Sequence, residues 1–443
     1  MTHENQDGSV GPALAKSWQY IGQGNKEFEL TLRDDARFSD GTPVTADSVK
    51  KWLDYYSGAK GPNANWIKIS SIQAIANDKV HISLSDQNPI LPELLSDQWT
   101  WGALASDKAV ANPASLLEES FGAGPYVLVP SETVAGDHYT YVPNQYYYDQ
   151  TKIRYQKIVA RVIGNANSML QAAASGQVQV ATGDPSTAAV AANDGLSVFN
   201  KPGGTAELVF MDVDGKLSPA LADVRVRQAL NYAVDRKSIM SALIGGYGSA
   251  ASVHMTSDGA EPQYNDYYTY DPVKAKSLLS AAGYQNGFTL KVLTSAQWGT
   301  LGVPVMHAVA KYLQAVGITL DIVEAKDNSD WLQKLRSKEF SATGLPGDSL
   351  PMFITYPTFF AANSVLHPGG ATDPILADMF KSGSISGDPS NVWKQMTTRI
   401  TEQAYLMPLF ASDKIWYASK AIGGVSFSSN ALIPIATDWF TRS

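Results

Sequence analysis

The chain has 443 residues, a formal charge of −8 and no cysteine, so it is long enough for two or three compact units that fold without disulfides or thiolate chemistry. Its 34 Lys and Arg are outnumbered by 42 Asp and Glu and form no block, which excludes a nucleic-acid footprint. With 10 Trp and 21 Tyr in a chain only 17% charged, disorder is excluded and many rings need a place.

No run approaches the roughly 18 apolar residues of a spanning helix, and residues 1–10 (MTHENQDGSV) are polar where a signal peptide would be apolar. Any targeting segment of a precursor is therefore expected to lie outside this sequence. Glu27–Leu32 (EFELTL) alternates as a half-buried strand does, and Ser39-Asp-Gly-Thr-Pro43 breaks it with turn residues. Thr45 is placed to cap a helix with Val49, Trp52, Leu53 and Tyr56 on one face. Lys79–Leu84 (KVHISL) is a second alternating strand, followed by a loop with Trp99 and Trp101, so the opening segment reads as a small α+β unit.

Residues 122–129 and 159–163 read as strands and 167–174 as a short helix ending at Gly176. The organisation changes at Lys201-Pro-Gly-Gly204, beyond which strands alternate with well-capped helices in the manner of an α/β unit. Asp223 caps one helix carrying Val226, Leu230, Val234 and Ile239, stopped by Gly245-Gly246. Asp271-Pro272 opens a second, closed by Gly283; a third spans 303–316 and leads into a strand at 318–323. Trp331, Leu332 and Leu335 mark a fourth helix, and 340–344 a short strand.

That last strand runs into GLPGDSLP (344–351), whose letters GDSL name a family of serine esterases and put Ser349 forward as a nucleophile. A serine hydrolase needs a base and a group that orients it. Of His3, His81, His138, His254, His307 and His367, only His81 follows an aspartate by three residues, Asp78, and that pair precedes the serine. The prolines on either side make a rigid turn the simpler reading, and the chain is expected not to be an enzyme. Metal-protease, phosphate-loop, dinucleotide and EF-hand patterns are missing, and neither a metal nor a cofactor is expected. In an open α/β sheet, however, ligands bind outside the carboxyl ends of the strands, which is where this loop falls.

Several stretches carry a resemblance. Ala13-Leu-Ala-Lys-Ser-Trp18, the run 32–47 (LRDDARFSDGTPVTAD), Gly122-Ala-Gly-Pro-Tyr126, 223–236 (DVRVRQALNYAVDR), 270–279 (YDPVKAKSLL) and Ala282-Gly-Tyr284 occur in this order along the whole chain. They resemble the dipeptide and oligopeptide class of ABC-transporter extracellular solute-binding proteins, family 5. The resemblance implies an α/β fold of the two-lobed periplasmic-binding-protein type (class II, cluster C) with an extra α+β subdomain. By it, residues 1–118 are that subdomain, 119–205 the first lobe, 206–420 the second lobe and 421–443 a return to the first. The opening strands that the family places ahead of the Ala13–Trp18 region by number 13–18 are not found here.

The implied function is capture of a peptide or other small organic molecule, amine-bearing or aromatic, by hinge closure, and its delivery to ABC permease subunits. An oligosaccharide is the alternative ligand. The expected setting is extracytoplasmic, in a periplasm or as a cell-surface lipoprotein, and the expected state a monomer. In peptide-binding members an aspartate after a short second-lobe strand holds the ligand's amino group, and Asp348 falls on that step. Thr205 and Glu207 beside the hinge, Trp298 and Thr300 after a strand near 289–293, and Trp99 and Trp101 from the subdomain are the other candidate ligand contacts, the rings offering apolar area and cation–π contact or else simply packing in the core. Phe353, Tyr356, Phe359 and Phe360 form an aromatic cluster that lines either the pocket or the core.

Overall fold

The computed structural model describes residues 1–59, 63, 66–367, 370, 373–427 and 436–442. In its opening unit the antiparallel strands Ala15–Ile21, Glu27–Leu32, Lys79–Leu84 and Ile69–Ala76 lie in that spatial order, with the helix Ala46–Ser57 packed on them. Alternation decides which face is covered: Phe28, Leu30, Val80 and Ile82 point inward and meet Val49, Trp52 and Leu53 of the helix. Thr45 and Ser48 form a reciprocal capping box at its start, an arrangement whose loss costs about 1 kcal/mol. This core extends to Ala123 and also takes in Ile354, far along the chain.

A three-stranded meander follows (Tyr126–Leu128, His138–Pro143, Ile158–Arg161), then the helix Ala166–Ala174, capped by Asn165. Two long antiparallel strands, Ser197–Phe210 and Leu406–Ala418, then organise the rest. At one end they continue into Val180–Gly183; at the other they join Gly248–Ala250, Ala342–Gly347, Phe288–Ser295 and Ile318–Ala325, the last three mutually parallel. Each end has its own core. One combines Leu170, Ala181, Ala188 and Ala191 with Ile415 and Tyr417. The other packs Leu208, Leu230, Val292, Val309 and Phe410 on one face of the sheet and Leu293, Trp331, Met352, Trp393 and Ile400 on the other. Ile422 and Val425 pack with Val180 and Phe199 at the first end; residues 428–435 and 443 of the expected returning segment lie outside the described residues.

The change of organisation expected at Lys201-Pro-Gly-Gly204 falls inside a continuous strand, with Gly203 and Gly204 set against Ser412 alone in a β-bulge. Gly204 is required there because a Cβ would sit 1.4 Å from the Gly347 carbonyl oxygen. The helix expected to start at Asp223 and end at Gly245 is two helices, Val224–Tyr232 and Arg236–Ile244. Asp235 caps the second by accepting from Ser238 N, and the buried Arg236 guanidinium donates to the Asn231, Ala251, Pro408 and Tyr268 carbonyls, fastening the corner between them.

Candidate functional site

Where the two ends of the long strands part, a cleft of about 740 Å³ opens. Its walls come from three places. Glu4, Glu93, Gln98 and Trp99 belong to the opening unit, residues 182–185 and Trp416 to the first end of the sheet, and Ser257, Leu301 and residues 346–351 to the other end. Gly204, Ser412 and Asp413 of the bulged region lie at its floor. Among the described residues no helix is long and apolar enough to cross a membrane, and no cluster of three or more His, Asp or Glu converges as a metal ion requires.

Strand Ala342–Gly347 is paired with Thr205–Phe210 by number 205–210, so it delivers Asp348 directly into the cleft at its carboxyl end. The Asp348 carboxylate is exposed, and its Oδ1 lies 3.9 Å from Nζ of Lys414, itself half exposed. Such a pair is worth under about 1 kcal/mol, so it leaves the carboxylate open to a competing ligand cation. Trp99 also lines the cleft, its ring edge-on to Trp66 at 5.2 Å and its buried Nε1 without an acceptor among the described residues.

The other candidates are placed differently. Trp101, two residues on, is fully buried, with Nε1 donating to the Asn63 carbonyl at 2.9 Å and its ring 4.7 Å from Tyr56. Glu207 is also fully buried and accepts from His254 Nδ1 through Oε2 at 2.8 Å, while Thr205 is buried in the paired strands with its Oγ1 3.4 Å from Met255 N. Trp298 packs edge-on to Trp331 at 5.3 Å, and Thr300 is exposed; Leu301 beside them reaches the cleft instead. Phe353 and Tyr356 stack on Phe380 and, with Phe359 and Phe360, belong to the core on one face of the sheet.

Two cleft groups, Trp416 and Glu93, and the neighbouring Asp258 gave no signal in the sequence. Trp416 sits in the uniform run of the strand Leu406–Ala418, opposite Thr182 and Phe199. Glu93 lies in the one-turn helix Leu91–Leu94; burial first, then the neighbouring Asp258 and Glu4 carboxylates, push its carboxyl up to about 8. Asp258, raised to about 6 by burial, accepts from Met352 N at 2.7 Å, which ties it to the loop that carries Asp348.

Residues 9–363 match the family described as bacterial extracellular solute-binding proteins, family 5 Middle. The chain belongs to that family. It is 22% identical over 466 residues to the nickel-binding periplasmic protein of Escherichia coli K12, covering 98% of this chain and 86% of that protein. It is 25% identical over 444 residues to the glutathione-binding protein GsiB of Escherichia coli O6:K15:H31 (strain 536 / UPEC), covering 93% and 82%. The fold is shared with the binding protein AgaA of A. tumefaciens R10, solved with agropinic acid, at a TM-score of 0.80 and 22% identity over 100% of this chain and 92% of the other. The two-lobed α/β receptor architecture is thus that of the family, whose members are extracellular or periplasmic and serve ABC importers as binding proteins rather than enzymes.

For a receptor, the geometry around Ser349 is in keeping. Ser349 lines the cleft, but the buried His254 gives its Nδ1 to Glu207, and His81 bonds Glu27 at 2.9 Å while Asp78 pairs with Lys16. None of these histidines is hydrogen-bonded to Ser349 among the described residues. The receptor handles a peptide or another small ligand together with a permease.

Proposed function

We propose that this receptor takes a small organic ligand into the cleft between residues 119–205 and 206–420, with residues 1–118 forming the third wall and residues 421–443 returning to the first lobe. The observation that carries this reading is the cleft itself, walled from three units and floored by the two strands that connect them. Asp348 and Trp99 are the foremost ligand contacts, with Trp416 opposite. Thr205 and Glu207 support the bulge and the Asp348 loop from behind, Trp298 and Trp101 act through packing, and Thr300 stands exposed beside the cleft.

Ligand bridging the walls stabilises the closed state by its differential affinity, and the bulge of Gly203-Gly204 opposite Ser412 is the proposed point of flexing. The receptor works as a monomer and hands its ligand to an ABC permease from the periplasm or from a lipid-anchored position on the cell surface. Peptides are the first ligand class, in line with what GsiB is named for binding; oligosaccharides are the second, favoured by the two tryptophans that line the cleft.

Native mass spectrometry of the purified protein, followed by a thermal-shift screen of peptides, amines, sugars and organic acids, tests the reading. A stabilisation that grows with ligand concentration is expected from at least one class. No shift from any class, with no co-purified molecule, overturns it.

A further inference from the structure

The pair Glu207 and His254 is not accounted for by packing. Glu207 is wholly buried and His254 is 3% exposed, and neither lines the cleft. Nδ1 of His254 donates to Glu207 Oε2 at 2.8 Å, while Oε1 and Nε2 are buried with no hydrogen-bond partner among the described residues. An acid and an imidazole buried with half their polar atoms unmatched cost stability that an apolar pair of the same volume would not. One attested use of polar groups retained at such a cost is to fix a single arrangement of the chain around them.

The pair stands directly behind the wall that the second lobe gives to the cleft. The strand that carries Glu207 pairs its Thr205 with Gly347, and a Cβ on Gly347 would lie 3.1 Å from Glu207 Oε1. The residue before Asp348 therefore rests on the carboxyl group. His254 belongs to a segment that runs beside the loop and is bonded along it. Met255 N donates to Thr205 Oγ1 at 3.4 Å, Ser257 N to the Leu350 carbonyl at 3.1 Å, and Asp258 accepts from Met352 N at 2.7 Å. The His254 ring also lies 4.9 Å from that of Phe359, at the far end of the helix Met352–Phe359 into which the loop leads. One hydrogen bond thus joins the strand under the start of the loop to the segment and the helix that hold its end.

We infer that Glu207 and His254 are positioning residues for the loop 346–351, and that the bond between them sets where Asp348 stands in the cleft. The inference rests on the receptor reading above, in which that loop is the second lobe's contact with the ligand. A bond of fixed length and direction does what an apolar contact of equal volume cannot: it admits one register of residues 252–258 against the strand, where apolar side chains tolerate repacking. Binding groups must be held within about 0.5 Å of their productive geometry, so loss of that register is felt in affinity even where the fold survives.

The test uses the full chain. In native-state hydrogen exchange of wild type, peptides covering 252–258 and 346–352 are expected to open as one unit with equal protection. The double variant Glu207→Leu with His254→Phe keeps the volume and removes the bond. Its melting temperature is expected near that of wild type, while exchange rises at 346–352 and stays unchanged in the strand Phe288–Ser295. Affinity is read by titration calorimetry with alanyl-phenylalanine, spermidine, maltotriose and citrate. The double variant is expected to weaken the tightest-binding of these by about tenfold or more, and Glu207→Gln alone, which offers Nδ1 an acceptor again, to recover most of that loss. On top of Asp348→Ala the double substitution is expected to add nothing, since it acts through that residue.

Independent opening of the two peptides, wild-type affinity in the double variant, or an undiminished effect on top of Asp348→Ala would each overturn the inference and leave the receptor reading intact. If the double variant does not fold, the exchange of wild type decides. Binding of none of the four probes by wild type removes the receptor reading itself, and this inference with it.

Discussion

Trp99 and Trp101 are two residues apart and do different work. The turn Thr100–Gly102 points Trp101 into the opening unit's core, where its indole N–H has an acceptor, and leaves Trp99 on the cleft wall. Trp101→Ala is expected to cost about 3–5 kcal/mol of stability in urea unfolding, the usual result of emptying a fully buried indole site. Trp99→Ala is expected to lower stability less and to weaken ligand binding more; the reverse order would move the binding ring to Trp101. Glu93 offers a test in the free protein. Its carboxyl is raised from the ordinary 4.5 to about 8 on folding, so its contribution is complete below about pH 4.5 and is lost as the pH rises through about 8. Wild type is therefore expected to lose melting temperature between pH 5 and pH 8.5, and Glu93→Gln to flatten that slope. Parallel curves would show that Glu93 carries no proton at neutral pH.

At the scale of elements, the long strand Ser197–Phe210 carries the architecture, and its bulge allows the two ends to have separate cores. Gly204→Ala would drive a methyl group into the Gly347 backbone, displacing the step on which Asp348 stands. A fall in melting temperature and a loss of ligand affinity are expected together, and an unchanged protein would show that the two strands do not approach as closely as described. Its passage through residues 201–204 was not legible in the sequence because Pro202, Gly203 and Gly204 are turn formers taken locally, and only pairing with Leu406–Ala418 overrides that tendency. The break between the helices Val224–Tyr232 and Arg236–Ile244 was hidden for a related reason. Apolar spacing continues across it, and what ends the first helix is the buried Arg236 reaching carbonyls distant in sequence.

For the whole molecule, the distribution of cores predicts rigid lobes and a pliant connection. Saturating ligand is expected to reduce the radius of gyration in solution scattering, and Asp348→Ala to weaken an amine ligand by a few kcal/mol, because closure would otherwise bury that carboxylate against it. If the radius stays constant while ligand binds, the cleft closes by side chains alone.

By itself the sequence determined the element types wherever alternation and caps agreed: Glu27–Leu32, Lys79–Leu84 and the helices that begin after Thr45 and Asp271. It also determined, through motifs spread along the chain, the family and hence the two-lobed receptor fold. Those signals are local, or they repeat a pattern already tied to a fold. Only the tertiary structure decided which rings and acids meet in the cleft. Glu93 and Trp416 stand in unremarkable stretches, and no spacing rule connects residues 93 and 416. Their meeting depends on how three units pack around two strands, and burial by distant neighbours is what turns an ordinary glutamate into a group that must find a proton or a cation.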